Sequence, residues 1–182
     1  TVLVTGGAGY IGSHAVYSLL ATGRKVVVVD RSKEACENLR KIFSRRKNKP
    51  VIHCCDIDND VWIDGILQNE KPTAVMHFAA DISVPESVSS PLKYYENNTA
   101  KTIKFLSKLQ RNGIHRFIFS STAAVYGTPK VEGGIVETTP CQPINAYGNS
   151  KLMTEFVLKQ MSKAIPAFTY TSFRYFNVAG SH

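Results

Sequence analysis

The sequence predicts an α/β protein whose mostly parallel sheet is doubly wound, with helices on both faces. Three observations support this prediction. Short apolar runs alternate along the chain with longer segments whose apolar residues recur at helical spacing. A glycine-rich motif, Thr5–Gly12, joins the first apolar run to the first periodic segment. The length of 182 residues suits one domain, and we expect residues 1–182 to form it.

The elements follow one another in strand–helix order, which predicts parallel neighbours covered on both faces. Strands are expected near residues 1–5, 25–29, 50–55, 73–78, 115–120 and 168–176. Helices are expected within residues 11–22, 32–44, 59–69, 92–111 and 146–164. The Gly- and Pro-rich stretch 127–143 is predicted to be a surface loop near the ligand crevice. Ligands of such sheets bind beyond the carboxyl ends of the strands, so residues just after each apolar run are functional candidates.

The glycine motif predicts a dinucleotide-binding fold of the Rossmann type. Gly6 permits a tight turn out of the strand, Gly9 lets backbone N–H groups approach a pyrophosphate, and Gly12 lets helix and strand pack closely. The positive end of the following helix then faces the phosphates. A glycine loop alone could be a structural turn, but here a strand, a helix and a later acid occur in the required order.

Asp30 is that acid. It follows the second apolar run, Val26–Val29, where a carboxylate can bind the adenosine ribose hydroxyls. A carboxylate there should also repel a 2′-phosphate, which favours NAD over NADP. Arg31, the next residue, could partly offset that charge. The predicted cofactor is therefore NAD.

Tyr147 and Lys151 are candidates for proton transfer. Residues four apart in a helix project from one face, so the Lys151 ammonium can lie near the Tyr147 phenol. A nearby positive charge stabilises a phenolate and lowers the pKa of the phenol towards the working pH. The same pair also occurs on ordinary solvated helix faces, and by itself it would favour that interpretation. The nucleotide-binding motif at the other end of the chain is what favours a catalytic role.

Polar residues at two further strand ends are also candidates. The segment Phe119–Thr122 places hydroxyls at the carboxyl edge, where backbone bonding explains Ser120 and Ser121 at least as well as catalysis does. Tyr175 and Asn177 should point the same way by strand alternation. Core packing alone would explain Tyr175, but it would explain Asn177 less easily.

Composition and charge argue against a membrane or a nucleic acid as a partner. The hydrophobic content of 43% and charged content of 20% are ordinary for a globular protein, and no apolar stretch is long enough to span a membrane. The net charge of +8 owes much to six basic residues within positions 40–49. A nucleic-acid site is conceivable there, but basic residues suit the end of a helix, and a solvated face is favoured. We therefore expect neither a membrane nor a nucleic-acid partner.

Cysteine and histidine spacing predicts no metal site. The four cysteines include no C-x-x-C pair, and the five histidines show no ligand spacing with them. Buried reduced thiols and the lack of a visible secretory signal predict a cytoplasmic protein, although the missing initiator Met leaves room for a removed leader.

Taken together, these residues resemble the extended short-chain dehydrogenase/reductases, and within that family the epimerase group. The resemblance runs through almost all of the chain. It rests on the strings Thr5–His14, Asp56–Ile57, His77–Ala80, Tyr95–Asn98, Ser120–Gly127, Tyr147–Lys151 and Arg174–Gly180. It implies NAD-dependent interconversion of UDP-glucose and UDP-galactose, by transient oxidation and re-reduction at sugar C4. It also implies a UDP-sugar substrate and a possible homodimer.

The resemblance also implies roles for individual residues. Tyr147 would take the proton of the sugar 4-hydroxyl, Thr122 would hydrogen-bond the same oxygen, and Asn177 would lie against the nucleotide-sugar. Lys151 would bind the nicotinamide ribose. The remaining implied cofactor contacts, together with those already derived, are Gly6, Gly9, Tyr10, Ile11, Gly12, Asp30, Asp56, Ile57, Phe78, Ala79, Ala80, Asn97, Ser120 and Tyr175.

Several residues depart from the family pattern. Arg31 and Ser32 stand where Asn-Leu is common, and Ile82 stands where some members place a Lys near the cofactor phosphates. The family continues into a smaller substrate-closing region that is largely absent from these 182 residues. A cofactor-binding fragment without turnover is therefore one alternative. A nucleotide-sugar dehydratase or decarboxylase is another, disfavoured because Ala123 and Ala124 follow Thr122 where those enzymes commonly place an acid.

Overall fold

The computed structural model describes residues 1–129 and 133–180, in which six strands form one sheet in the order β3-β2-β1-β4-β5-β6. The strands are β1 Val2–Thr5, β2 Val26–Asp30, β3 Val51–Cys54, β4 Ala74–His77, β5 Arg116–Thr122 and β6 Thr169–Tyr175. Every neighbouring pair is parallel. This confirms the predicted Rossmann-type arrangement, whose chain reverses direction across the sheet between β1 and β4.

The helices agree with the predicted ones except between residues 84 and 126. They are α1 Tyr10–Ala21, α2 Lys33–Phe43, α3 Asp60–Glu70, α4 Val84–Ser89, α5 Pro91–Tyr94, α6 Lys101–Arg111 and α7 Ala146–Ala164. A π-helix, Tyr95–Ala100, joins α5 to α6, so the single predicted helix 92–111 is interrupted. The short helix α4 and a 3-10 turn at Ala123–Tyr126 were not predicted.

Polar side chains fix where three of the helices begin. The side chain of Ser32 accepts a hydrogen bond from the Ala35 amide at the start of α2. Asn59 and Asn145 cap α3 and α7 in the same way. Each cap satisfies an amide that has no partner inside the helix, so the chain turns out of the preceding loop at a defined residue.

Two apolar clusters cover the two faces of the sheet. On one face, α1 and α2 pack on alternate residues of β1 and β2, including Val4 and Val28. On the other face, α3, α6 and α7 pack on the intervening residues, including Leu3 and Val29. Because β1 and β2 are buried on both faces, their sequences are continuous apolar runs rather than alternating ones.

His77, at the end of β4, is a buried structural residue. It is 1% exposed, and its Nδ1 and Nε2 atoms lie 2.6 Å from Thr5 Oγ1 and 3.0 Å from Thr102 Oγ1. Burial lowers its pKa to about 3, so the ring is neutral and can donate through one nitrogen while it accepts through the other. The network ties β1, β4 and α6 together directly below the crevice.

The described residues contain no helix that could cross a membrane and no group of three or more metal-ligating side chains. The predicted cytoplasmic location stays a prediction. In the basic segment 40–49, Arg46 lies over the Tyr17 ring at 4.8 Å and Arg40 donates to the Ile52 carbonyl at 3.1 Å. These contacts favour the predicted solvated face. Residues 130–132 of the predicted loop 127–143 lie outside the described residues, as do residues 181 and 182.

Candidate active site

A crevice of about 730 Å³ crosses the carboxyl ends of the strands, on both sides of the switch between β1 and β4. It is lined by every residue that the sequence and the resemblance assigned to a site: Gly6, Gly9, Tyr10, Ile11, Gly12, Asp30, Asp56, Ile57, Phe78, Ala79, Ala80, Asn97, Ser120, Thr122, Tyr147, Lys151, Tyr175 and Asn177. They come together because parallel strands end at one edge of the sheet.

The turn between β1 and α1 forms the floor of the crevice and leaves no room for side chains. Gly6 has φ +66°, and a Cβ on it would lie 2.5 Å from the backbone nitrogen of Ala79, at the end of β4. A Cβ on Gly12 would lie 2.2 Å from the carbonyl oxygen of Gly6. Gly9, the N-cap of α1, supplies no side chain to the first-turn amides. These amides fit a dinucleotide pyrophosphate.

At one end of the crevice, two carboxylates are held in fixed positions. The Asp30 carboxylate accepts hydrogen bonds from the Ala8 amide at 3.1 Å and the Ser32 amide at 3.0 Å. Asp56 accepts from Lys101 Nζ at 2.7 Å. Burial by itself would raise the pKa of Asp56, but the hydrogen bond and charge of Lys101 lower it, which favours an ionised Asp56 as an acceptor for an adenosine moiety.

Arg31 extends from the end of β2 towards the loop after β4. Its guanidinium donates to Asn97 Oδ1 at 2.9 Å and forms a short ion pair with Asp81. Its Nη1 also lies 4.0 Å from Asp56 Oδ2. In the strand order β2-β1-β4, this side chain passes across the end of β1, close to the crevice.

The π-helix positions Asn97 and Asn98. Asn98 accepts from the Asp81 amide and donates to the Asp81 carbonyl, both at 2.9 Å, and its amide nitrogen lies 3.2 Å from Ser150 Oγ. The loop after β4 is thereby joined to α7. A π-helix is wider than an α-helix because its hydrogen bonds join residues five apart, which changes the direction of its side chains. Short π-helical segments are frequent at functional sites.

At the opposite end of the crevice, Tyr147, Lys151 and Thr122 come together as predicted. The Lys151 side chain is buried, its Nζ donates to the Ser120 carbonyl at 2.9 Å, and it lies 5.0 Å from the centre of the Phe119 ring. The Tyr147 ring packs edge-on against Tyr94, with ring centroids 6.4 Å apart. Tyr147 and Thr122 both line the crevice, so their hydroxyl groups can hydrogen-bond a ligand oxygen there.

Burial shifts the pKa values of both Tyr147 and Lys151 at this end of the crevice. Burial lowers the pKa of Lys151 to about 7. Burial raises the pKa of Tyr147, while a hydrogen bond with the Thr122 side chain acts in the opposite direction. The predicted lowering of the phenol pKa, which combines the positive charges of Lys151 and a bound cofactor, stays a prediction.

Ser121 belongs to a buried ionic network beside the crevice. Its hydroxyl donates to the Glu155 carboxylate through a short hydrogen bond. Arg174 donates to the same carboxylate from Nη2 at 2.7 Å and from Nε at 3.1 Å. Its Nη1 reaches the Tyr126 hydroxyl at 2.9 Å and the Glu137 carbonyl at 3.0 Å. Ser121 therefore holds the end of β5 in place through a side chain rather than through backbone bonding.

The end of β6 differs in detail from the prediction. The strand ends at Tyr175, so Asn177 lies beyond it and strand alternation does not set its direction. Both residues nevertheless line the crevice. The Tyr175 ring stacks on Phe173, with centroids 5.8 Å apart. Sequence reasoning assigned no role to several other lining residues, among them Cys55, Val84, Phe176 and Val178. Their side chains suggest no chemical role, although Phe176 and Val178 lie in the string Arg174–Gly180 that carries the resemblance.

The fold and the crevice define a Rossmann-type dinucleotide-binding domain with a Tyr–Lys pair at one end. The sequence matches the NAD dependent epimerase/dehydratase family over residues 2–182. The chain therefore belongs to that family, which confirms the resemblance inferred from the motifs.

Similar proteins agree with this membership. The UDP-glucose 4-epimerase of Lactobacillus helveticus is 44% identical over 99% of this chain and 52% of its own length. The solved UDP-Glc/GlcNAc 4-epimerase of Campylobacter jejuni is 43% identical, with a TM-score of 0.88 over 100% of this chain and 54% of that one. The Bifidobacterium longum UDP-glucose 4-epimerase, solved with NAD+ and UDP, is 37% identical, with a TM-score of 0.91 over the same shares. The chain thus spans about half the length of the curated relatives it matches.

Proposed function

We propose that this chain forms the NAD-binding half of an enzyme that interconverts UDP-glucose and UDP-galactose. The observation that carries the proposal is the placement of Tyr147, Thr122 and Lys151 at one end of a crevice whose floor is the glycine turn. The similarity to UDP-glucose 4-epimerases over the whole chain supports the same substrate class.

The residues present fit a dinucleotide along the whole crevice. The amides at the start of α1 would hold the pyrophosphate, Asp30 the adenosine ribose, and Asp56 with Ile57 the adenine ring. Asn97, Ser120, Lys151, Tyr175 and the segment Phe78–Ala80 would hold the nicotinamide half. Gly6 and Gly12 let the turn pack closely against neighbouring backbone, and Gly9, the N-cap of α1, has no side chain to separate the amides from the phosphates. When bound, NAD supplies a ring that takes up a hydride and gives it back.

The chain's own residues would handle the proton. Tyr147, once deprotonated, would accept the proton of the sugar 4-hydroxyl, and Thr122 would hydrogen-bond the same oxygen. Lys151 would supply positive charge beside the phenol whenever it is protonated. The same phenol would return the proton after the sugar has presented its other face, so no second substrate would be consumed. Asn177 would lie against the nucleotide-sugar.

The alternative of a dehydratase or decarboxylase is less well supported by the crevice. Those reactions need a further acid or base near the reacting carbons. The carboxylates among the described lining residues are Asp30 and Asp56, both at the adenosine end. Glu155 lies near Thr122, but Arg174 and Ser121 engage its carboxylate. Ala123 and Ala124 occupy the wall next to Thr122.

The proposed reaction is tested by incubating the full-length protein with UDP-galactose without added cofactor. We expect a mixture of UDP-glucose and UDP-galactose, and the same mixture when the reaction starts from UDP-glucose. Chromatography of the products distinguishes the candidates, because a dehydratase would form a product lighter by one water. A protein that binds the nucleotide-sugar but leaves it unchanged would contradict the proposal. UDP-N-acetylglucosamine in a parallel reaction measures the sugar selectivity.

We further propose that the enzyme is a homodimer that pairs through α5, α6 and α7. Large apolar side chains are exposed on these neighbouring helices: Leu92, Ile103, Met153 and Phe156. Symmetric pairing would remove them from water. Light scattering should give twice the chain mass, and Phe156→Lys should shift the protein towards the monomer. As a control, Trp62→Lys, at an equally exposed site on α3, should leave the mass unchanged. An unchanged mass in Phe156→Lys would contradict the proposed interface.

A further inference from the structure

Arg31 raises a question about cofactor choice that the proposed function leaves open. An arginine near the end of β2 is the usual partner for the 2′-phosphate of NADP, while an acid at that strand end selects NAD. This chain has both, since Arg31 directly follows Asp30. Whether the guanidinium can reach a 2′-phosphate depends on what holds it.

Arg31 lines the crevice, but the hydrogen bonds of its guanidinium go to the loop after β4 and to the π-helix. Nη2 forms a short ion pair with Asp81, and Nη1 donates to Asn97 Oδ1 at 2.9 Å. Asp81 is the stronger partner because its bond is charge-assisted on both sides. The Arg31 side chain is half exposed, so these bonds, with the longer pair to Asp56 at 4.0 Å, hold it in place.

Asp81 depends on Arg31 in turn. Its side chain is largely buried, and its Oδ2 atom has no hydrogen-bond partner among the described residues. Moving Arg31 towards a 2′-phosphate would leave the whole carboxylate buried and unpaired, which is strongly unfavourable. A phosphate would therefore have to compete with a carboxylate that, among the described residues, accepts a hydrogen bond from no cation but Arg31.

The surrounding charges act in the same direction. Arg31 and Lys101 form ion pairs with three carboxylates, those of Asp56, Asp58 and Asp81. Asp30 adds a fourth carboxylate at the ribose end. The adenosine end of the crevice is thus net negative while Arg31 stays bound, and a dianionic 2′-phosphate would meet repulsion there.

We propose that Asp81 determines the preference for NAD over NADP, because it holds Arg31 away from the adenosine 2′ position. Asp81 is a positioning residue that acts through Arg31 and does not itself line the crevice. This inference rests on the proposed dinucleotide site and adds the residue that sets its selectivity.

Asp81→Asn is the variant that tests the proposal. The loop should keep its place, because Asn98 bonds the backbone amide and carbonyl of residue 81 and not its side chain. The full-length protein, freed of bound nucleotide, is titrated calorimetrically with ADP-ribose and with 2′-phospho-ADP-ribose. We expect the preference for ADP-ribose to fall by about tenfold in Asp81→Asn, as a charge-assisted bond from Arg31 to the phosphate forms. Asp81→Ala, which cannot hydrogen-bond Arg31 at all, should lose at least as much.

Two controls separate release of Arg31 from simple loss of negative charge. Asp58→Asn removes one carboxylate from the same group, but Asp58 pairs with Lys101 at 3.1 Å and not with Arg31. It should change the preference by no more than about twofold, since exposed charges are screened. Adding Arg31→Met to Asp81→Asn should abolish the gain for the phosphorylated ligand.

The inference is overturned if Asp81→Asn behaves like Asp58→Asn, or if the gain survives in the Arg31→Met background. In both cases normal binding of ADP-ribose would leave the proposed function intact. If the unaltered protein binds neither ligand, the proposed dinucleotide site fails, and this inference fails with it.

Discussion

A full-length Tyr147→Phe variant is expected to keep its NAD and to interconvert UDP-glucose and UDP-galactose about 10²–10⁴-fold more slowly, the usual contribution of a positioned acid–base group. The substitution removes only the hydroxyl, and the edge-on packing of the ring against Tyr94 is kept. Thr122 and Lys151 would remain, but neither would supply a phenolate for the sugar 4-hydroxyl. The rate is measured from both UDP-sugars, and bound cofactor from the absorbance of the denatured supernatant.

Tyr170→Phe is the matched control. It removes the same atom from a residue of β6 that packs against the core and does not line the crevice. Its activity should equal that of the unaltered protein. Interconversion by Tyr147→Phe within about threefold of normal would contradict the catalytic assignment, because proton transfer by a positioned side chain contributes far more than that.

Glu155→Ala is expected to lower the free energy of unfolding by about 3–5 kcal/mol, the range for removal of one partner of a buried ion pair. Arg174 would keep its bonds to the Tyr126 hydroxyl and the Glu137 carbonyl but would lose its only carboxylate among the described contacts. Ser121 would lose its partner as well. Urea unfolding of the full-length protein measures the effect.

A second variant tests the cause of that loss. Glu155→Ala combined with Arg174→Met should recover part of the stability, because no uncompensated charge remains. As a control, Lys93→Ala breaks the exposed pair between Lys93 and Glu86 and should change the unfolding free energy very little. A loss below about 1 kcal/mol in Glu155→Ala would show that the network behaves like an exposed ion pair.

Much of the fold follows from the sequence because its periodicities are strong. The apolar runs of β1 and β2 alternate with helices of clear periodicity, and the predicted bounds agree with the observed ones to within a residue or two. The exceptions are local. Helix α4 has only six residues, with Pro85 in its first turn. It is too short for apolar residues to recur at helical spacing. The π-helix at Tyr95–Ala100 uses residues that also suit an α-helix, and packing on α7 sets its geometry.

The members of the candidate site could also be predicted, because parallel strands bring their carboxyl ends to one edge. Their electrostatics could not. Periodicity places Lys151 on the same helix face as Tyr147, but it does not reveal that the Ser120 carbonyl binds the ammonium or that burial lowers its pKa to about 7. Nor does it reveal that burial raises the pKa of the Tyr147 phenol, since desolvation depends on the whole fold around a residue.

The sequence by itself determined the α/β class, the order of strands and helices, and the residues that meet at the crevice. These features depend on local periodicity and on short sequence motifs. Only the tertiary structure decided which charges are paired. Arg31 meets Asp81, and Glu155 meets Arg174, across separations of 50 and 19 residues that no local pattern records. Such contacts depend on how separate elements pack, and the energy of a charge depends on the burial and partners that this packing creates.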